Sequence, residues 1–108
     1  MALKSWSIAN FDGAGTEVYI EKTLLEADGV TIILLSLLIS NYSETDDAHI
    51  IVTRTDSFDE VKFKWELDIT ATNSPFALDS KMVFVDGDKL KIETNNANVA
   101  IDASGDES

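Results

Sequence analysis

Cysteine is absent from the 108 residues. Disulfide scaffolds, zinc–thiolate centres and thiol nucleophiles are therefore excluded. Histidine occurs once, at His49, so no paired-histidine metal spacing exists. Proline also occurs once, at Pro75. Basic residues are scarce, with 8 Lys and Arg against 20 Asp and Glu and a net charge of −12. Affinity for a phosphate backbone comes largely from Lys and Arg displacing counterions, so nucleic acid is not an expected partner. An anionic membrane surface is disfavoured for the same reason. The most apolar run, Val30 to Ile39, is broken by Thr31 and Ser36 and is about half the ~20 residues of a spanning helix. Met1 to Trp6 lacks a basic region leading into a long apolar stretch, so no secretory signal is expected. Neither a G-x-S-x-G elbow nor a complete phosphate-binding glycine loop is present; Asp12-Gly13-Ala14-Gly15 lacks the third glycine.

What remains is a chain 44% hydrophobic and long enough for one domain with a modest core. Its periodicity is that of strands. Val61, Phe63, Trp65, Leu67 and Ile69 alternate without a break with Lys62, Lys64, Glu66 and Asp68, which predicts a strand with one buried and one wet side. Thr16 to Glu21 alternates too, while Lys22 to Asp28 reads as a helical turn ended by Gly29. Ala48 to Thr53 sets Ala48, Ile50 and Val52 opposite His49, Ile51 and Thr53. Met82 to Val85 is a short strand followed by a hairpin-type turn at Asp86-Gly87-Asp88. Turn signals recur every ~8–12 residues, the signature of an antiparallel sandwich or barrel.

The organisation expected is an N-terminal arm or short strand over residues 1–14, a β-sandwich over 15–104, and a mobile acidic tail over 105–108. The inner face is assigned to Ile33, Leu35, Leu37, Phe63, Trp65, Leu67, Leu90, Ile92, Val99 and Ile101. Val30 to Ser40 is apolar on both sides at period two. With Ile33, Leu35 and Leu37 inward, Ile32, Leu34 and Leu38 are left for the other side and need a cover. Either the N-terminal arm with Trp6 and Ile8 supplies it, or another subunit does. Ile32, Leu34, Leu38, Trp6 and Ile8 are thus the candidate interface residues.

The residues that could carry chemistry read more simply as structure. His49 needs a partner placed by the fold before it can act as base or ligand. Glu44, Asp46 and Asp47, like Asp86 and Asp88, fit turn chemistry; the Asp86-Gly87-Asp88 run is too short for an EF-hand loop. Glu66 and Asp68 share a strand side with Lys62 and Lys64, a mixed-charge surface. Tyr19 and Tyr42 are the aromatics that could stack on a sugar. No catalytic residue, metal ligand or cofactor is assigned, and an enzyme is not expected.

Two stretches carry a resemblance. One is Val30 to Asn41, the turn Tyr42-Ser43-Glu44, and the return strand Ala48 to Thr53. The other is Phe76 to Leu90 with its Asp86-Gly87-Asp88 turn, then Lys91 to Thr94, then Asn98 to Gly105 with its closing Ser104-Gly105. Together they resemble the small all-β structural proteins of tailed bacteriophages. The family tends to follow Ser-Gly with an apolar residue and Glu; here Asp106-Glu107-Ser108 follow. The resemblance implies a virion component with no catalytic residues. The expectation is a single antiparallel β-sandwich, of jelly-roll type, serving as a capsid decoration or cement subunit on the capsid exterior. It would contact the major capsid protein and form a homo-oligomer such as a trimer. The alternatives are a tail- or fibre-associated subunit contacting tail proteins, and a small carbohydrate- or calcium-binding β-module.

Overall fold

A computed structural model describes residues 2–71, 75–78 and 81–108. Among them the strands are β1 (Ala2–Ile8), β2 (Ile20–Glu26), β3 (Ile32–Asn41), β4 (Ala48–Thr55), β5 (Val61–Ile69), β6 (Phe76–Leu78), β7 (Met82–Phe84), β8 (Lys89–Thr94) and β9 (Val99–Glu107). No helix occurs among the described residues. The chain is all-β, and its strands form two antiparallel sheets packed as a sandwich. The first sheet runs β1-β9-β3, with β6 and β7 end to end along the far edge of β3. The second runs β2-β8-β4-β5.

The pairing is nested. β4 pairs with β5, β3 with β6 and β7, β2 with β8, and β1 with β9. The chain is thus doubled back on itself at the β4–β5 connection. The doubled ribbon is then wound so that β3 meets β9 and β4 meets β8.

Between the sheets lie Ile32, Leu34, Leu37, Ile39, Phe84, Val99, Ile101 and Ala103 from the first, and Leu25, Ile50, Val52, Leu90 and Ile92 from the second. Phe11, from the loop after β1, is fully buried with them. Each core side chain of this size contributes ~1.5–3 kcal/mol by leaving water. Arg54 adds a polar clamp between the layers. It donates to Asp88 Oδ2 at 2.8 Å and lies 4.5 Å from the Phe84 ring centroid.

Several local expectations are corrected. In β3, Ile32 and Leu34 are fully buried, whereas Ile33 and Leu35 point outward. The cause is a β-bulge: the β3–β9 register shifts between Leu34 and Ser36, so Leu35 is an extra residue that inverts the alternation. Leu37 is in the core as expected, and Leu38 faces out. Lys22 to Glu26 is strand, not a helical turn; a second register shift, between Thr23 and Leu25, lets both Leu24 and Leu25 be buried. Asp86-Gly87-Asp88 carries the chain from the first sheet to the second, since β7 and β8 belong to different sheets. The first residues make a full strand along β9. The expected mobile tail is strand as well: Gly105 to Glu107 pair with both β1 and β3, and Ser108 exchanges two backbone bonds with Thr31.

Candidate functional site

Four places could meet a ligand or partner. The first is the outer face of the first sheet. Because Leu35 is extruded by the bulge, β3 presents Ile33, Leu35 and Leu38 on this side. Register sets Val83 beside Ile33 and Ala77 beside Leu38. Leu35, Leu38 and Val83 are 43%, 41% and 42% exposed, and Val85 beyond β7 is more open still. Of the five interface candidates, only Leu38 lies on this face. Ile32 and Leu34 are core, and Ile8 is buried between the sheets. Trp6 packs against the core. The N-terminal strand therefore does not cover the outer side of β3; it lies in the same sheet, beyond β9. Val83, Val85 and Leu35 were missed because their outward placement follows from two-sheet topology and a bulge, which period two does not reveal.

The second place is the His49 cluster on the outer face of the second sheet. The β4–β5 register sets His49 against Asp68 and Ile51 against Glu66. The imidazole Nδ1 lies 2.7 Å from Asp68 Oδ1, and Nε2 lies 2.8 Å from Glu66 Oε1. Tyr19 meets the ring edge-on at a centroid distance of 6.2 Å. The His49 backbone N–H donates to Asn95 Oδ1 at 2.9 Å. Hydrogen bonding to Asp68, then to Glu66, raises the imidazole pKa above its ordinary 6.5, against a smaller opposing effect of burial. Chemically this is an imidazole held between two carboxylates, an arrangement that favours its protonated form. A general base needs a ring nitrogen free to receive a proton, and both nitrogens here are engaged. Among the described residues no group of three or more His, Asp and Glu is disposed to hold a metal ion.

The third place is an apolar groove of about 470 Å³ at one open side of the sandwich, lined by Phe63, Trp65, Phe76, Leu78 and Met82. It exists because β5 is nine residues long while the strands on the corresponding edge of the first sheet, β6 and β7, have three each. Phe63, assigned to the core by its period, is 46% exposed for this reason, and Trp65 and Leu67 are half-buried.

The fourth place is a polar hollow, also of about 470 Å³, at the loop end that holds Thr45 to Asp47 and Asn95 to Asn98. Its polar groups are largely spent on the loops themselves. Asn41 and Asn96 both donate to the Asp46 carbonyl, and Asp47 Oδ1 accepts from the Ala71 N–H. The other acidic pair is likewise occupied, Asp86 accepting from the Gly29 N–H and Asp88 from Arg54 and Val85. Tyr42 donates its hydroxyl to the Ala9 carbonyl at 3.1 Å.

Comparison of the chain with protein-family models, with curated proteins and with solved structures finds no match. The functional reading therefore rests on the surfaces described above.

Proposed function

We propose that this chain is a non-enzymatic structural subunit that attaches to a larger assembly through the outer face of its first sheet. The observation that carries this reading is the apolar patch of Leu35, Leu38, Val83 and Val85, which no described segment of the chain covers. Exposed apolar side chains rimmed by polar ones, here Asp102 beside Leu38 and Asp106 beside Ile33, are a feature of association sites. The nested pairing supports a jelly-roll winding, an architecture that viral capsid domains share with lectins and cupins. That is an analogy of fold, and fold alone does not carry function. The resemblance of Val30 to Thr53 and of Phe76 to Gly105 to phage structural proteins gives the reading its specific form: a virion protein, with capsid decoration as the preferred role. Adhesion would come from the apolar patch, and the net charge of −12 would keep free subunits dispersed. It would also repel packaged DNA, which favours a position on the outside of the particle.

The test is the composition of purified virions from the source that encodes the chain. Quantitative mass spectrometry is expected to find it at a copy number proportional to the major capsid protein. A copy number matching tail proteins moves the subunit to the tail, and absence from the particles removes the reading. The surface itself is tested by L38E, which is expected to fold normally and to lose rebinding to particles stripped of the chain.

A further inference from the structure

The second sheet ends in β5, which is paired on one side by β4 and on the other by no described strand. Its outward side reads Lys62, Lys64, Glu66, Asp68, and its inward side reads Phe63, Trp65, Leu67, Ile69; a β-bulge at Lys62 takes Val61 off the inward side. Read backwards, this strand is its own complement. About a two-fold axis through Trp65, Lys64 lies opposite Glu66 of a second copy, and Lys62, at the bulge, lies towards Asp68. On the other side Phe63 meets Leu67.

We propose that the β5 edge is a self-recognition site at which a second copy of this chain adds its own β5, antiparallel, making one continuous eight-stranded sheet from the two second sheets. This inference stands on a different surface from the patch on the first sheet and does not depend on the virion reading. Exposed lysines on an edge strand normally deter pairing. Here they select one register. Moving the axis by one residue to Lys64 sets that lysine against itself. Moving it to Glu66 keeps Lys64 opposite Asp68 but sets two glutamates face to face. Like charges directly opposite one another are destabilising, and opposite charges are favourable. Moving it by half a residue turns the partner's charged side towards the groove.

The side chains are free to respond. Lys62 holds Asp56 and Glu60 at 3.5 and 3.7 Å, longer than a direct hydrogen bond. Glu66 and Asp68 each engage His49 through a single oxygen, leaving the other for a partner's lysine. Phe63 is about half exposed at the groove, and pairing would cover it with the partner's Leu67. An isologous contact of this kind closes on itself, giving a dimer and no fibre.

The experiment is sedimentation of the full chain at an ionic strength of about 0.15 M, where the Debye length of about 8 Å limits repulsion between the two acidic bodies. The unaltered chain is expected to dimerise. K64E and E66K, each counted twice by the symmetry, are each expected to weaken association by at least about tenfold. An equimolar mixture of the two variants restores every charge pair and is expected to dimerise as the unaltered chain does. That rescue also excludes misfolding as the cause of the losses. Because the chain has no cysteine, K64C mixed with E66C should give a disulfide-linked pair, since directly opposed residues have Cα atoms about 4.5–5.5 Å apart, within disulfide range. Neither variant alone should cross-link. An unaltered chain that stays monomeric up to its solubility limit overturns the proposal. So does a dimer that both charge reversals leave intact.

Discussion

His49 shows how a single side chain can tie stability to pH. A neutral imidazole offers one N–H and one lone pair, so between Asp68 and Glu66 one contact would set acceptor against acceptor. The imidazolium satisfies both, which is why its pKa is raised above 6.5 in the folded chain. The folded state therefore holds this proton more tightly than the unfolded state does. The resulting stabilisation is fully present below the unfolded pKa, near 6.5, and is lost as pH rises through the higher folded value. Urea midpoints of the unaltered chain and of H49Q, compared from acid to alkaline pH, are expected to differ most at about pH 6 and to draw together as pH rises above the ordinary imidazole value. A gap that does not change with pH would show that His49 acts through packing alone. The imidazole is a third exposed, so solvent screens the pair and the difference is expected to be small.

At the scale of the element, the decisive feature is the bulge in β3. The register step at Leu35 brings the Ile33 carbonyl against Gly105, where a Cβ would collide with backbone that cannot move aside as a side chain can. G105A is expected to cost about 1–3 kcal/mol in urea unfolding, the usual penalty for overpacking. G15A is the control, since a Cβ there meets nothing within 4 Å. The same bulge marks the limit of what the residues disclose by themselves. β5 was legible as a strand, because nine consecutive positions obey period two, but the register shift at Lys62 and the exposure of Phe63 were not. β3 was legible as a strand, but its sides were not: both are apolar, so nothing in the pattern reports the extra residue that swaps them. In β2 the adjacent buried leucines, Leu24 and Leu25, imitate a helical face, and only the register shift explains them. Gly105 to Glu107 looked like a tail because their side chains are small or acidic. They are held by backbone ladders on both sides, which side-chain polarity does not encode. The His49 cluster failed to stand out for a related reason. Its residues lie 17 and 19 positions apart, and only the β4–β5 register joins them.

For the whole molecule, the question is how a body with 20 acidic and 8 basic residues balances its charge. Lys62, Lys64, Lys89 and Lys91 all belong to β5 and β8, which run in the same direction on either side of β4. Thr53 is paired to both Lys64 and Lys91, and Ile51 to both Glu66 and Glu93. The outer face of the second sheet is thus banded, and half of the basic residues sit at one end of it. Towards the other end Glu21 faces Glu93 across β2 and β8. Two electrostatic effects oppose each other in such a body. Salt weakens the exposed ion pairs, such as Lys4–Glu107 and Lys89–Asp59, but pairs of this kind contribute only about 0–1 kcal/mol each. Salt also screens the repulsion among the excess carboxylates, which acts across the entire surface and favours expansion. The Arg54–Asp88 pair lies between these extremes: it is mostly buried and is screened least. With the excess at twelve negative charges, the repulsive effect is the larger. The urea midpoint is therefore expected to rise as sodium chloride is raised from about 10 mM to about 150 mM, a range over which the Debye length falls from about 30 to about 8 Å. The measurement belongs at a protein concentration where sedimentation shows the monomer, so that association does not add to the change. Urea is the denaturant to use, since guanidinium chloride is itself a salt and would hide the effect. A midpoint that falls with salt would mean that local pairs, and above all the banded face of the second sheet, outweigh the excess charge.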